Sequence, residues 1–167
     1  LMGATASIVT SDFSTPDADR QRFDTACQKA TPWIDEDFDA VMNVNLRSVF
    51  IACRAAARPM MRGKFGRIVN IGSVTGLMGN SGQANYAAAK AGLSGLTKTI
   101  AKELGGKGVT ANVLAPGFVE TSMIENLPDS LMETVVKNLP VRRVGQPEEI
   151  AHAVSFLTSD LAGDVTG

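Results

Sequence analysis

The sequence has little of what several functional classes require. Its 167 residues include two cysteines, Cys27 and Cys53, and one histidine, His152. No C-x-x-C or Cys/His ligand spacing occurs, so no metal site is expected. There is no disulfide framework either, which points to a reducing compartment. Both cysteines read as small buried apolar residues. Aromatics make up 5% of the chain: seven Phe, Trp33 and Tyr86. A chain with one tyrosine has one candidate for any chemistry that needs a phenol. Charge of one sign is also lacking. Sixteen Lys+Arg against 17 Asp+Glu leave a net charge of −1. That balance excludes a generally basic nucleic-acid binder and an acidic disordered tail. The most apolar stretch, Val49 to Met61, is broken by Arg54 and Arg58. Nothing reaches the ~20 apolar residues of a membrane span, and no signal peptide is visible. The expectation is a soluble cytoplasmic protein with no membrane or nucleic-acid partner.

What is present is an alternation of short apolar runs and longer amphipathic ones. Ala4 to Val9 predicts a strand and Asp19 to Ala30 an amphipathic helix. Asp35 to Met61 predicts a second helix, with carboxylates in its first turn where the helix dipole favours them. Arg67 to Ile71 suits a strand buried on both faces of a parallel sheet. A glycine-rich loop, Gly72 to Gly82, follows it. Ala84 to Leu104 is a long helix of small residues, with Gly105-Gly106 as its stop. Val109 to Leu114 is another buried strand, closed by Pro116-Gly117. Thr121 to Asn138 is a polar, Met-rich excursion with one or two short helices. Pro147-Glu148-Glu149 opens a last helix through Leu157. Strands alternating with such helices predict an α/β fold. The expected architecture is a doubly wound, Rossmann-like parallel sheet in three α/β/α layers, one domain over 1–167. Ligands of such sheets bind beyond the carboxyl ends of the strands, which directs attention to Gly72 to Thr75 and Ala115 to Thr121.

One constellation there carries chemistry. Ser73 sits just past the strand. Tyr86 follows thirteen residues later, with Lys90 at i+4 on the same helix face. A phenol with a pKa near ~10 is a poor proton donor at neutral pH. An ammonium within a few ångströms favours its anion, so the pair is a plausible general acid/base. A hydroxyl at the mouth of the adjacent strand can orient a substrate oxygen toward it. Y-x-x-x-K alone is weak; with Ser73 at a strand end and the glycine-rich loop between, it is strong.

The stretch Asn70 to Leu93 (NIGSVTGLMGNSGQANYAAAKAGL) resembles the short-chain dehydrogenase/reductase family. Within that family it is most similar to the reductases of 3-oxoacyl groups carried by acyl-carrier protein in bacterial fatty-acid synthesis. Asn43 to Phe50 (NVNLRSVF), Ala115 to Thr121 (APGFVET), Pro140 to Ala151 (PVRRVGQPEEIA) and Phe156 to Asp160 (FLTSD) extend the likeness. The resemblance implies that Tyr86 donates a proton to a carbonyl oxygen that Ser73 hydrogen-bonds. It implies that Lys90 supports Tyr86 and binds the nicotinamide ribose, and that Asn45 holds a water relaying protons to Lys90. Pro116, Gly117, Val119 and Thr121 would line the nicotinamide. The implied cofactor is NADPH, with NADH left open, and the implied substrate an acyl-carrier-protein thioester. A homotetramer built on the two long central helices is implied as well. Two other readings stand beside this one: a dehydrogenase of another secondary alcohol or sugar, and a non-catalytic dinucleotide-binding member.

The sequence also departs from the family. Its glycine-rich T-G-x-x-x-G-x-G turn, which lets backbone approach a pyrophosphate at a helix N-terminus, does not occur. The Asn-Ala-Gly segment of its fourth strand is absent too. Cys27 to Trp33 reads as a join, with a second near Thr10-Ser11, as if ordered pieces of a longer chain were written consecutively and free of dinucleotide. A Cα separation of about 3.8 Å between Ala30 and Thr31 would oppose that. If Asp12 follows the family's third strand, it matches the adenine-contacting carboxylate; otherwise it caps a turn. Arg58, Arg62, Lys64 and Arg67 form a basic cluster that Lys107 is expected to join. Within it, Lys64 and Lys107 match family positions that dock the carrier protein; the other reading is a solvated surface. Asn70 reads as structural and His152 as exposed. Thr121 reads as either a cofactor contact or a helix cap.

Overall fold

A computed structural model describes residues 7–10, 35–121 and 128–167. The elements are β1 (Ser7–Thr10), α1 (Asp35–Met42), a π-helical segment (Asn43–Arg47), α2 (Ser48–Gly63), β2 (Gly66–Ile71), α3 (Val74–Met78), α4 (Ala84–Leu104), β3 (Val109–Leu114), α5 (Asp129–Asn138) and α6 (Pro147–Thr158). The expected helix over 19–30, both proposed joins and Asp12 lie outside the described residues.

Three strands form one parallel sheet in the order β1-β2-β3. Ser7 lies opposite Arg67 and Gly66 opposite Val109. Side chains of a strand alternate between its faces. Ile68, Val109 and Ala111 therefore turn to one side, where Val49, Cys53, Ala56 and Met60 of α2 and Leu93, Ala101 and Leu104 of α4 meet them. Full burial of Met60, Ile68 and Leu93 contributes about 1.5–3 kcal/mol each. Helix α6 packs on β2 and β3 from the opposite side. There Arg67, of the other parity, donates its Nε–H to the Ser159 carbonyl at 3.2 Å. The expected α/β class, parallel sheet and helices on both faces are what forms.

Asn70 crosses the helix-covered interface as a polar tie. Its Nδ2 donates to Thr97 Oγ1 at 2.7 Å, and its Oδ1 accepts the Cys53 thiol at 3.7 Å. It is fully buried, so each polar atom needs its partner, and the role is structural. Burial pushes the Cys53 thiol pKa up, which keeps that sulfur an inert core group. Along the outer side of β3, Gly167 N donates to Ala111 O at 3.0 Å and Asn112 Nδ2 to Val165 O at 2.8 Å.

Four local features differ from expectation. The helix begun at Asp35 is not regular: five residues, Asn43–Arg47, adopt the wider π spacing before α-geometry resumes. A π-bulge re-aims side chains, and here Asn45 turns inward while Asn43 stays exposed. The glycine-rich loop contains a short helix, α3. The α-geometry of α4 ends at Leu104 with Gly105 as its C-cap, as expected, but the turn that follows runs on to Gly108. Gly105 keeps right-handed geometry and opens a 3-10 turn through Lys107, and only Gly108 is left-handed, at φ 78°. A Cβ on Gly108 would strike the Lys64 carbonyl oxygen, so only glycine fits there. Finally, Arg67 is not part of the basic surface. It is 4% exposed, and its charge is met by the Gly66, Gly108 and Ser159 carbonyls and the Phe65 ring.

Candidate active site

The loops that follow β2 and β3 are zipped together. Gly72 N donates to Leu114 O at 2.7 Å and Val74 N to Pro116 O at 3.0 Å. A Cβ on Gly72 would sit 2.8 Å from Val113 Cγ1, so this close approach needs glycine. Between those two bonds lies Ser73. Its backbone is extended (φ −161°, ψ 150°), and it caps α3 by accepting the Thr75 N–H at 3.1 Å on Oγ. A hydroxyl that accepts there keeps its own O–H to donate.

Helix α3 then runs into α4. A Cβ on Gly76 would lie 2.7 Å from both Lys90 C and Ala91 N. The turn carrying Lys90 is thereby pressed against the helix that Ser73 begins. Lys90 is 6% exposed, and its Nζ donates to Ile71 O, the last residue of β2, at 3.2 Å. The same ammonium lies 5.5 Å from the centre of the Tyr86 ring. Tyr86 is half-buried one turn earlier, where its N–H donates to Asn85 Oδ1 at 2.8 Å. Ser73 and Lys90 thus lie at the carboxyl end of β2, with the Tyr86 ring beside the Lys90 ammonium.

Asn45 arrives from the π segment. That segment packs on α4 so closely that a Cβ on Gly92 would lie 2.8 Å from Leu46 Cδ2. Asn45 is 6% exposed; its Nδ2 donates to Val41 O at 3.2 Å, while its Oδ1 has no hydrogen-bond partner among the described residues. A buried acceptor left unmatched costs about 1–3 kcal/mol.

After β3 the chain runs exposed. Gly117 has open space around it. Val119 forms a parallel bridge with Gly145. Thr121 Oγ1 meets Val119 O at 3.4 Å. Residues 122–127, which follow Thr121, lie outside the described ones, and helix α5 is described from Asp129. On the far side of the same loop, Arg143 makes a bidentate pair with Glu149 at 2.7 Å. That pair and the Gln146 N–H hold the Glu149 carboxyl pKa down to about 2. Glu149 therefore stays ionised throughout neutral and mildly acidic pH. The interaction is present above the ordinary carboxylate pKa and fades only as pH falls toward 2.

Sequence reasoning pointed to Gly72 to Thr75 but did not single out Gly76 or the Ile71 carbonyl. A glycine three residues after Ser73 was the one available signal of close backbone approach. Lys64 and Lys107 do come together: Gly108, next to Lys107, abuts the Lys64 carbonyl, and Gly66 N donates to Gly108 O at 3.2 Å. They stand at the amino ends of β2 and β3. Six-residue strands at about 3.3 Å per residue put them roughly 20 Å from Ser73. His152 is exposed.

A family model described as enoyl-(acyl carrier protein) reductase, one of the short-chain dehydrogenases, matches residues 25–167. The chain belongs to the short-chain dehydrogenase/reductase family. Among curated relatives, 3-oxoacyl-(acyl-carrier-protein) reductase of Pseudomonas aeruginosa is 51% identical over 133 residues, which is 80% of this chain and 53% of that protein. The enzymes of that name from Escherichia coli K12 and Rickettsia conorii are 50% and 47% identical over the same length. Each match covers 80% of this chain, and 54% and 55% of those proteins respectively. The chain spans about half the length of the curated relatives it matches. Membership implies a dinucleotide of the NAD(P) type. The donor set fits its nicotinamide-ribose half: a buried ammonium beside the only phenol, and an open backbone strip at Gly117. The glycine-rich turn that would hold the pyrophosphate does not occur in the 167 residues. Among the described residues there is no cluster of acidic, His and Cys side chains fit for a metal. None of the described helices is long and apolar enough to cross a membrane.

Proposed function

We propose that the protein is a cytoplasmic reductase that converts a 3-oxoacyl thioester on acyl-carrier protein to the 3-hydroxyacyl thioester, with NADPH, in fatty-acid synthesis. The observation that carries this reading is the buried Lys90 ammonium. It is held between the Ile71 carbonyl and the Tyr86 ring, on a turn pressed against the helix that Ser73 caps. Lys90, Pro116, Gly117, Val119 and Thr121 are the residues that would hold the nicotinamide end, and Asp12 the adenine end. When bound, NADPH supplies the hydride.

The chain's own groups supply the rest. Ser73 Oγ accepts from Thr75 N and keeps its own O–H to donate to the substrate carbonyl oxygen. Tyr86 holds a proton at its phenol oxygen and passes it to that same oxygen as negative charge develops there. The fixed positive charge of Lys90 lowers the energy of the phenolate left behind. An ammonium carries three N–H donors, and Lys90, whose Nζ reaches the Ile71 carbonyl, is the residue proposed to meet a ribose hydroxyl and a water. Asn45, with its unmatched buried Oδ1, is the residue proposed to keep such a water on the proton path. The test is oxidation of NADPH by an acetoacetyl thioester. A saturable rate is expected, faster with NADPH than with NADH, and its absence defeats the catalytic reading.

The remaining proposals concern partners. Two central helices would mediate a homotetramer. Their outer face carries exposed Phe50, Val44 and Ile51 beside a groove of about 450 Å³ lined by Leu46, Arg47, Gly92 and Leu96. Lys64 and Lys107, exposed and adjoining, are the positions proposed to meet the acidic carrier protein. Lys64→Glu with Lys107→Glu is expected to raise KM for carrier-linked substrate and to spare a small thioester analogue. Equal effects on both substrates would remove the docking role.

A further inference from the structure

The loop after β3 has few anchors of its own. Phe118 and Glu120 are exposed, and nothing crowds Gly117. What fixes the loop is the segment just before α6. Gly145 N donates to Phe118 O and Glu120 N to Gly145 O, both at 2.8 Å. The next residue adds a side-chain tie: Gln146 Nε2 donates to Glu120 Oε2 at 2.6 Å.

The segment is itself gripped from behind. Gln146 N donates to Glu149 Oε2 at 2.7 Å. Arg143 binds both Glu149 oxygens and also donates to Val144 O at 3.1 Å. The order of contacts is therefore Arg143, Glu149, Gln146, Glu120. Single exposed ion pairs are worth little, but a bidentate pair inside a network is the recognised exception. Val119, bridged to Gly145, and Thr121, whose Oγ1 meets Val119 O, flank the tied Glu120 on the stretch so fixed.

We infer that Gln146, braced by Glu149 and Arg143, is a positioning residue that clamps the loop after β3 and so sets the seat of the nicotinamide end of the dinucleotide. The inference rests on the reading of Val119 and Thr121 given above. It predicts a loss confined to one end of the cofactor. In the intact protein, Gln146→Leu removes the donor and keeps the bulk. Affinity for NADPH, followed by its fluorescence, is expected to fall about tenfold, the scale of one hydrogen bond to a charged group. Affinity for adenosine 2′,5′-bisphosphate, which lacks the nicotinamide, is expected to stay unchanged. Amide exchange at Glu120 and Gly145 is expected to quicken. Gln146→Lys keeps a donor toward Glu120 and is expected to restore both NADPH affinity and protection. Equal loss of both ligands, or no loss with unchanged exchange, overturns the clamp. If the unmodified protein shows no NADPH binding, the underlying reading falls and the clamp falls with it. If the unmodified protein binds NADPH and Gln146→Leu binds equally well, the clamp alone falls.

Discussion

Tyr86→Phe is expected to lower turnover of a 3-oxoacyl thioester by about 10²–10⁴-fold, the usual contribution of a positioned general acid. The chain has no second tyrosine to take over, and the substitution removes one oxygen while keeping the ring that the Lys90 ammonium faces. Tyr86 is half-buried in the first turn of α4, and its backbone N–H bond to Asn85 does not involve the hydroxyl. The variant keeps the ring and its burial, so folding should survive, with the thermal midpoint moving by no more than a few degrees. NADPH affinity should also be kept within a few-fold, since the ammonium and the backbone strip after β3 are untouched. Steady-state turnover, a melting curve and NADPH fluorescence check the three statements. A fall in rate of less than tenfold would mean that the proton comes from elsewhere, with water through Asn45 the next candidate.

The parts of this site that could be read in the sequence are those fixed by local chemistry. β3 appears at its expected residues because VTANVL is apolar enough to be buried and is closed by Pro116. Helix α4 is legible because a run of small residues has no reason to stop before its glycines, and it puts Tyr86 and Lys90 one turn apart. What escapes the sequence is decided by contacts distant along the chain. In the run Gly105-Gly106-Lys107-Gly108 any glycine can end a helix. The α-helix stops at the first of them, while the Lys64 carbonyl, brought up by β2, decides that the left-handed turn falls at Gly108. Arg67 looks like a surface cation until the Gly108 and Ser159 carbonyls, 41 and 92 residues away, close around it beside its neighbour Gly66. The π segment has no letter code of its own. It lies where Leu46 settles on Gly92, although the residue it turns inward, Asn45, is the one expected.

Gly76→Ala is expected to damage both stability and activity, although it adds a single methyl group far from any substrate atom. The added Cβ would lie 2.7 Å from Lys90 C and Ala91 N, backbone atoms that cannot rotate away. Either α4 retreats, carrying Lys90 off the Ile71 carbonyl, or α3 retreats and pulls Ser73, its N-cap, out of place. Overpacking of this kind costs about 1–3 kcal/mol. A misplacement near 1 Å in a catalytic group costs on the order of 10²-fold in rate. Gly105→Ala is the matched control, since that glycine is right-handed and has nothing within 4 Å of an added Cβ. It should be neutral or stabilising by about 0.4–1 kcal/mol, because alanine restricts the unfolded chain more than glycine does. Urea unfolding and turnover of the two variants separate the effect of the methyl from that of losing glycine. If Gly76→Ala matched Gly105→Ala in both measurements, the contact between α3 and α4 would have slack, and the Ser73–Lys90 geometry would depend on the Ile71 carbonyl and the zipped loops after β2 and β3 instead.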